Sequence, residues 1–293
     1  MPTYQRPDSL RRTLNEIIAQ ALAAPANHLL RLLVIDNDPK LSAQKAVASI
    51  ALSDPGINIT YGEEPNVGIG HARNLGFTAS KADEWLVFFD DDQIPLDGWL
   101  AALLHERENP AREVIFGPVT PVFATSLPGW GRGGWAWGAD RSELVDGRRY
   151  RNAGFGNIMF SSAVLRSEEC RVPLAFVGGP GEDTAVSLAL TAAGFHIVYC
   201  ANAAAIENVS VDRLSRSWVL DRAIANGAAW KQLAKSGLVP VWKMRLYVLK
   251  AFADIGQLVL RAWTTRDNAE IFMMRARRQW AFIKGALGIE AYR

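Results

Sequence analysis

Two short apolar runs in this chain each end in a cluster of acids, and that pairing narrows the possible folds more than any other feature. Leu29-Leu30-Arg31-Leu32-Leu33-Val34-Ile35 stops at Asp36-Asn37-Asp38, and Trp85-Leu86-Val87-Phe88-Phe89 stops at Asp90-Asp91-Asp92. Apolar runs this short, followed at once by polar residues, read as buried strands. Helical spacing fills the gaps. Asp8 or Ser9 caps a run with Leu10, Leu14, Ile17 and Ile18 on one face, and further helices are expected over 41–52, about 70–81 and about 97–107. Ile57–Tyr61 and Val114–Phe116 read as further strands. Strands alternating with helices predict a wound, mostly parallel α/β sheet. Ligands of such sheets bind outside the carboxyl ends of the strands, where both acid clusters are expected.

Composition supports a full core. Of 293 residues, 49% are hydrophobic and 21% charged, which excludes a disordered or collagen-like chain. With 32 basic and 30 acidic residues, a globally basic nucleic-acid binder is not indicated. Two cysteines, Cys170 and Cys200, are too few for a disulfide framework and suit a reducing compartment. His28, His71, His105 and His196 show no zinc spacing. No secretory leader and no long uncharged apolar span are visible. Ten tryptophans are the one unusual count.

Asp90-Asp91-Asp92 carries the strongest chemical signal. Adjacent carboxylates repel one another, and Mg²⁺ or Mn²⁺ held between one or two of them and phosphate oxygens offsets that repulsion. The bland alternative is a solvated, helix-capping acidic loop. A haloacid-dehalogenase reading fails because Ile94 stands where D-x-D-x-[TV] needs Thr or Val. Glu182-Asp183 opens a helix after Gly178-Gly179-Pro180-Gly181. It is either a cap favoured by the helix dipole or a general base aimed into a cleft. Arg73 and Asn74 follow the turn from Asn66 through Gly68 to Gly70 and suit a phosphate or a base, or simply water. Trp130, Trp135 and Trp137 lie in a Gly-rich stretch within a long loop over 125–150. They read equally as a sugar-stacking surface and as a loop tucked onto the core.

Several motifs in order resemble the inverting family 2 glycosyltransferases of the GT-A fold. They are Pro2-Thr3-Tyr4-Gln5-Arg6-Pro7, Val34-Ile35-Asp36-Asn37-Asp38, Glu64-Pro65-Asn66-Val67-Gly68 with Ala72-Arg73-Asn74, Phe88-Phe89-Asp90-Asp91-Asp92, Gly156-Asn157 and Gly181-Glu182-Asp183. Within the family the chain is most similar to bacterial exopolysaccharide β-glucosyltransferases of the succinoglycan type. The resemblance implies a nucleotide-sugar pocket formed by Thr3, Tyr4, Arg6, Asp36, Asn37, Gly68, Arg73, Asn74, Asp90 and Asp91. It implies Asp183 as catalytic base with Glu182 beside it, and acceptor contacts from Trp130, Trp135, Trp137 and Asn157. Asp90 and Asp92 would hold Mg²⁺ or Mn²⁺, with Glu207 in the region of a third ligand. Relatives begin with an apolar strand before Pro-Thr-Tyr, so the central first strand is expected to be missing and the authentic start to lie upstream.

Residues 1–238 are expected to form the catalytic domain and 239–293 a helical tail. The tail has ten basic and four acidic residues. On a wheel, Lys243, Lys250, Asp254, Gln257 and Arg261 share a narrow polar stripe beside a wide apolar face that includes Trp242 and Trp263. That pattern predicts a helix lying in a membrane interface, on the inner face of the cytoplasmic membrane, where a lipid-linked glycan acceptor is presented. Packing on the catalytic domain or on a second copy is the alternative. A non-catalytic nucleotide- or sugar-binding protein that kept the fold is the rival function.

Overall fold

The computed structural model describes residues 1–24, 30–53, 56–80, 84–139, 143–265 and 268–289. His28, Leu29 and Lys81, and residues 140–142 of the Trp-rich stretch, lie outside them. In chain order the first elements are β1 (Pro2–Thr3), α1 (Pro7–Ala23), β2 (Arg31–Asp36), α2 (Gln44–Ser53), β3 (Asn58–Glu63), α3 (Ile69–Ala79), β4 (Leu86–Phe89), β5 (Gln93–Pro95) and α4 (Trp99–Arg107). Then come β6 (Val114–Phe116), β7 (Val119–Phe123), β8 (Arg149–Tyr150), β9 (Asn157–Phe160), α5 (Ser162–Leu165), α6 (Glu182–Ala192), β10 (Ile197–Tyr199) and β11 (Ala205–Val209). Three helices finish the chain: α7 (Arg216–Lys235), α8 (Val241–Thr264) and α9 (Ala269–Leu287).

The chain forms two compact units. One comprises Met1–Thr120, Arg141–Gly178 and Glu182–Asn208; the other comprises Pro121–Asp140, Gly179–Gly181 and Val209–Arg293. Along the last part of the chain the division falls between Asn208 and Val209, before α7.

In the first unit, β1, β2 and β3 form a parallel ladder in which Thr3 stands level with Asp36. A five-stranded sheet runs β4-β9-β6-β10-β8. This sheet is mixed, with β6 and β10 parallel. β9 lies antiparallel to both neighbours, β4 and β6, and β8 is antiparallel to β10. No crossover helix leads into β9, so nothing forces it to run parallel. The first strand of the chain is the two-residue β1, which among the described residues pairs with β2. Phe88, Phe155 and Phe160 are essentially fully buried and meet Phe77 edge-on beneath β4 and β9. That aromatic floor fixes the end of β4, from which Asp90 emerges.

The second unit is helical. α7 and α9 approach so closely that a Cβ on Gly227 would collide with the Phe282 carbonyl, and one on Gly285 with the Ile224 carbonyl. Each glycine is the notch for the other helix's backbone. α7 therefore belongs with the tail and not with the sheet. Trp130 is buried against Val219 and Met274, and the indole N–H groups of Trp135 and Trp137 donate to the carbonyls of Trp130 and Arg213. The Trp-rich stretch is thus a packed pair of short 3₁₀ turns joined across a kink at Arg132–Gly134, the second of the two readings its sequence allowed.

Gly285→Ala should destabilise the protein by about 1–3 kcal/mol, although alanine is the better helix former by roughly 1 kcal/mol. Denaturant unfolding of the variant measures this; unchanged or raised stability would contradict the close helix crossing.

Candidate active site

The acid cluster is shaped by residues that the local sequence does not reveal. The Asp90 N–H donates to the Gly156 carbonyl at 3.0 Å. A Cβ on Gly156 would collide with Gln93 Nε2 and lie 2.7 Å from Asp90 Oδ2, so only glycine leaves room for that carboxylate. Thr13 on α1 donates to the Gln93 carbonyl at 2.7 Å and fastens the turn from below. Asp91 points back under β1. Its carboxylate accepts from Thr3 Oγ1 at 2.6 Å and from Arg6 Nη1 at 3.2 Å. The same guanidinium reaches Asp92 Oδ2 at 2.7 Å.

Arg73 makes the second connection. Only 4% exposed, it lies over the Phe155 ring at 5.2 Å, with Nη2 3.6 Å from Asp90 Oδ1 and Nη1 paired with Glu182. Asp90 and Glu182, 92 residues apart in sequence, thus share one buried cation, itself 109 residues from Glu182. α3 can carry Arg73 to this point because its first turn presses on the chain before α6. A Cβ on Gly70 would sit 2.5 Å from Val177 Cα, and the Gly70 N–H donates to the Val177 carbonyl. Asp183 is half-buried at the start of α6, with Oδ1 accepting from the Thr184 N–H at 2.6 Å. Its Oδ2 lies on the side of Gly154, 3.9 Å from where a Cβ there would stand.

Burial dominates the electrostatics. It pushes the carboxyl groups of Asp90 and Glu182 up, with Arg73 opposing in both cases. Asp91 is pushed up from 3.8 to about 6, chiefly by burial, against the Thr3 hydrogen bond and the Arg6 charge. Asp90, Asp91, Asp92 and Glu182 pair with the guanidinium groups of Arg6 and Arg73, and the charge of Asp183 adds to the acidic side. An excess of hard oxygen donors of this kind fits Mg²⁺ or Mn²⁺. It fits the form in which one or two carboxylates share the ion with substrate phosphate, since among the described residues no three His, Cys, Asp or Glu side chains gather as a ligand set. Asp90, Asp92 and Glu207 accordingly do not form a three-ligand cluster. Glu207 lies on β11, in register with Gln93.

Other residues read from the sequence as binding groups are engaged in holding loops. Asp36 is buried and accepts from the N–H groups of Asp38 and Ala43 and from Tyr61 Oη. Asn37 donates to the Glu64 and Asn66 carbonyls and accepts from the Gly68 N–H. Gly68 itself has φ +145° and no room for a Cβ beside the Val177 carbonyl. Asn74 forms a two-way bridge to the Val172 backbone. Asn157 is buried, accepting from Trp99 Nε1 and donating to the Ala203 carbonyl. These bonds position β9. Trp130, Trp135 and Trp137 belong to the helical unit, and the burial of Trp130 leaves it no face for a sugar. Tyr4, 44% exposed beyond Thr3, keeps its ring accessible. Thr13 and Phe155 were not legible as site residues, since each acts through packing, and the Gly156-Asn157 motif did not reveal that Gly156 makes room for Asp90.

The rise of Asp91 to about 6 carries a sign. The folded state holds this proton more tightly than the unfolded chain, so stability present below about pH 4 is lost as pH rises through about 6, on the order of 3 kcal/mol. Metal-free protein unfolded in urea across that range should show the loss, and Asp91→Asn should flatten it. Equal slopes in both proteins would contradict the assignment.

Comparisons with known proteins bear on the family and the fold. Residues 1–167 match the model of the family described as glycosyl transferase family 2. Mannosyltransferase PcManGT from Pyrobaculum calidifontis, solved in complex with GDP-Man and Mn²⁺, aligns over 99% of this chain and 86% of its own, with 17% identity and a TM-score of 0.58. TarS 1–349 from S. aureus aligns over 100% of this chain and 91% of its own, with 12% identity and a TM-score of 0.51. A structure of TarS 1–349 in complex with UDP gives 12% identity and a TM-score of 0.50. No curated protein sequence matches the chain. These structures share the GT-A fold of an α/β sheet with C-terminal helices. With more than half of its length matched by the family model, the chain belongs to glycosyl transferase family 2.

Proposed function

We propose that the chain transfers a sugar, with inversion, from a nucleoside diphosphate sugar to an acceptor hydroxyl. The observation that carries this reading is the Arg73 bridge, which brings Asp90 at the end of β4 and Glu182-Asp183 at the start of α6 to one site. A cation-binding acid cluster and a separate half-buried carboxylate are the two functions such a displacement requires. The solved relatives with GDP-Man and Mn²⁺ and with UDP support a nucleotide-linked donor. A UDP-sugar is the donor to test first.

Asp183 accepts the proton of the acceptor hydroxyl as its oxygen bonds to the anomeric carbon and the bond from that carbon to the diphosphate breaks. A single in-line displacement leaves the anomeric centre inverted. Asp90 and Asp92 would hold Mg²⁺ or Mn²⁺, which when bound supplies positive charge to the departing diphosphate. Thr3 and Arg6 keep Asp91 and Asp92 oriented, and Tyr4 offers its exposed ring to the base. Asp183→Asn should lower kcat by about 10²–10⁴-fold while UDP with Mn²⁺ still raises the thermal midpoint. Full activity in the variant removes Asp183 from the role of base. Nucleotide binding by the wild type without turnover of any donor would favour a non-catalytic binder.

The acceptor in this reading is a glycan on a lipid carrier, in the synthesis of an exported polysaccharide such as the succinoglycan type. The enzyme would then work as a peripheral protein on the inner face of the cytoplasmic membrane. The support is α8. Trp242, Leu249 and Trp263 are 61%, 65% and 81% exposed, and Leu246 and Leu260 are also open. Among the described residues no helix is long and apolar enough to cross a membrane, so α8 would lie along the surface. Vesicles of phosphatidylcholine and phosphatidylglycerol should sediment the wild type. Leu249→Ser with Trp263→Ser should weaken that binding by at least about tenfold, from the roughly 1.5–3 kcal/mol that each large apolar side chain contributes. Absence of sedimentation, with concentration-dependent dimerisation through the same residues, would assign the face to a second copy.

A further inference from the structure

The helical unit contains a second polar site that the transfer reaction does not use. α8 and α9 part around a cleft of about 380 Å³ lined by Trp135, Asp254, Gln257, Arg261, Arg275 and Arg278, among others. Three guanidinium groups and one carboxylate line it. Among the described residues, none of the three arginines has a carboxylate within ion-pair distance, and Asp254 accepts a hydrogen bond from Gln279 at 3.2 Å. The Nε of Arg275 is buried with no hydrogen-bond partner. An unpaired guanidinium nitrogen removed from water is costly unless a ligand completes it. Trp135 braces the pair from one side, its ring 5.1 Å from the Arg275 guanidinium carbon and 5.9 Å from that of Arg278. Its own N–H is committed to the Trp130 carbonyl, which fixes the ring and hence the arginines. Arginines held in place with their donors unspent are the arrangement that recognises a tetrahedral oxyanion.

We propose that this cleft is a binding site for a phosphate group carried on a soluble ligand. Burial, and then the neighbouring charge of Arg275, disfavour the protonated form of Arg278, a penalty that a bound anion relieves. The assignment to a soluble ligand comes from the turn of α8. Its cleft residues, Asp254, Gln257 and Arg261, lie about 150° around the helix from the centre of the exposed apolar stripe. With that stripe on a bilayer, the cleft opens away from the lipid headgroups. This choice of source rests on the membrane reading of α8, whereas the phosphate site itself does not.

Calorimetric titration of the full chain with inorganic phosphate, in EDTA to keep divalent metal out of the acid cluster, tests the site directly. Saturable binding is expected. It should weaken by at least about tenfold in Arg275→Gln with Arg278→Gln, each guanidinium contributing a charge-assisted bond. Arg261→Gln, at the exposed rim, should weaken it with the fold undisturbed, and Arg245→Gln, outside the cleft, should leave it unchanged. Circular dichroism and the thermal midpoint report whether the double variant is folded. If it is not, the Arg261→Gln and Arg245→Gln comparison decides. No saturable binding by the wild type, or equal binding by wild type and Arg261→Gln, overturns the site. The vesicle experiment is read separately with the same variants. Sedimentation that persists when Arg275 and Arg278 are replaced supports a soluble source. Sedimentation that requires them overturns the soluble assignment in favour of a lipid headgroup. Failure of all vesicle binding, with phosphate binding intact, removes the membrane reading and leaves the phosphate site standing.

Discussion

Arg73 carries a positive charge into a place where water can scarcely follow, beneath Glu182 and beside Asp90, over the face of Phe155. Removing one partner of such a buried pair leaves the other charged and alone, at a cost of about 3–5 kcal/mol. The cation therefore commits the chain on both sides of it. α3 must begin where the Gly68–Gly70 turn lets it press against Val177, and α6 must begin at Glu182. With those two helices placed, Asp183 has its position at the first turn of α6, where the helix dipole favours a carboxylate.

The opposite side of the site is built around a charge excess. Asp91 is held by Thr3 and Arg6, yet its proton still leaves only near pH 6, because burial outweighs both partners. Stability is thereby given up for a cluster that, in the proposed reaction, a divalent cation and a diphosphate would neutralise together. This accounts for arginines that engage the cluster without balancing it. It also accounts for the absence, among the described residues, of a complete protein-only cage. A site finished by its substrate's own phosphates needs few ligands from the protein.

Several polar residues that resemble ligands in the sequence are spent on architecture. Asp36, Asn37, Asn74 and Asn157 each satisfy backbone groups of loops or strands that would otherwise be buried unpaired. Their residue types do not distinguish the two uses, because a carboxamide suits a backbone turn as well as it suits a nucleotide. The tryptophans divide in a similar way. Trp130, Trp135 and Trp137 pack within the helical unit, while Trp242 and Trp263 on α8 remain open. The Gly-rich stretch read as a long loop, but hydrogen bonds from two indoles and arginines over the ring of Trp135 hold it as two 3₁₀ turns joined by a kink.

The sequence by itself determined the strand ends and what stands on them. Apolar periodicity reports which face of a segment leaves water, so the runs ending at Asp36 and Asp90, the start of α6 at Glu182 and the amphipathic α8 were all legible before any coordinates. The ordered motifs were sufficient for the family. What only the tertiary structure decided is which residues meet. Arg73 and Glu182 are 109 positions apart, and no local pattern specifies that pair. The antiparallel course of β9, the attachment of α7 to α9 through Gly227 and Gly285, and the buried, unpartnered Nε of Arg275 are likewise set by contacts between distant segments. Local sequence fixes how much of a residue must be buried, but its partner is chosen by the packing of the whole chain.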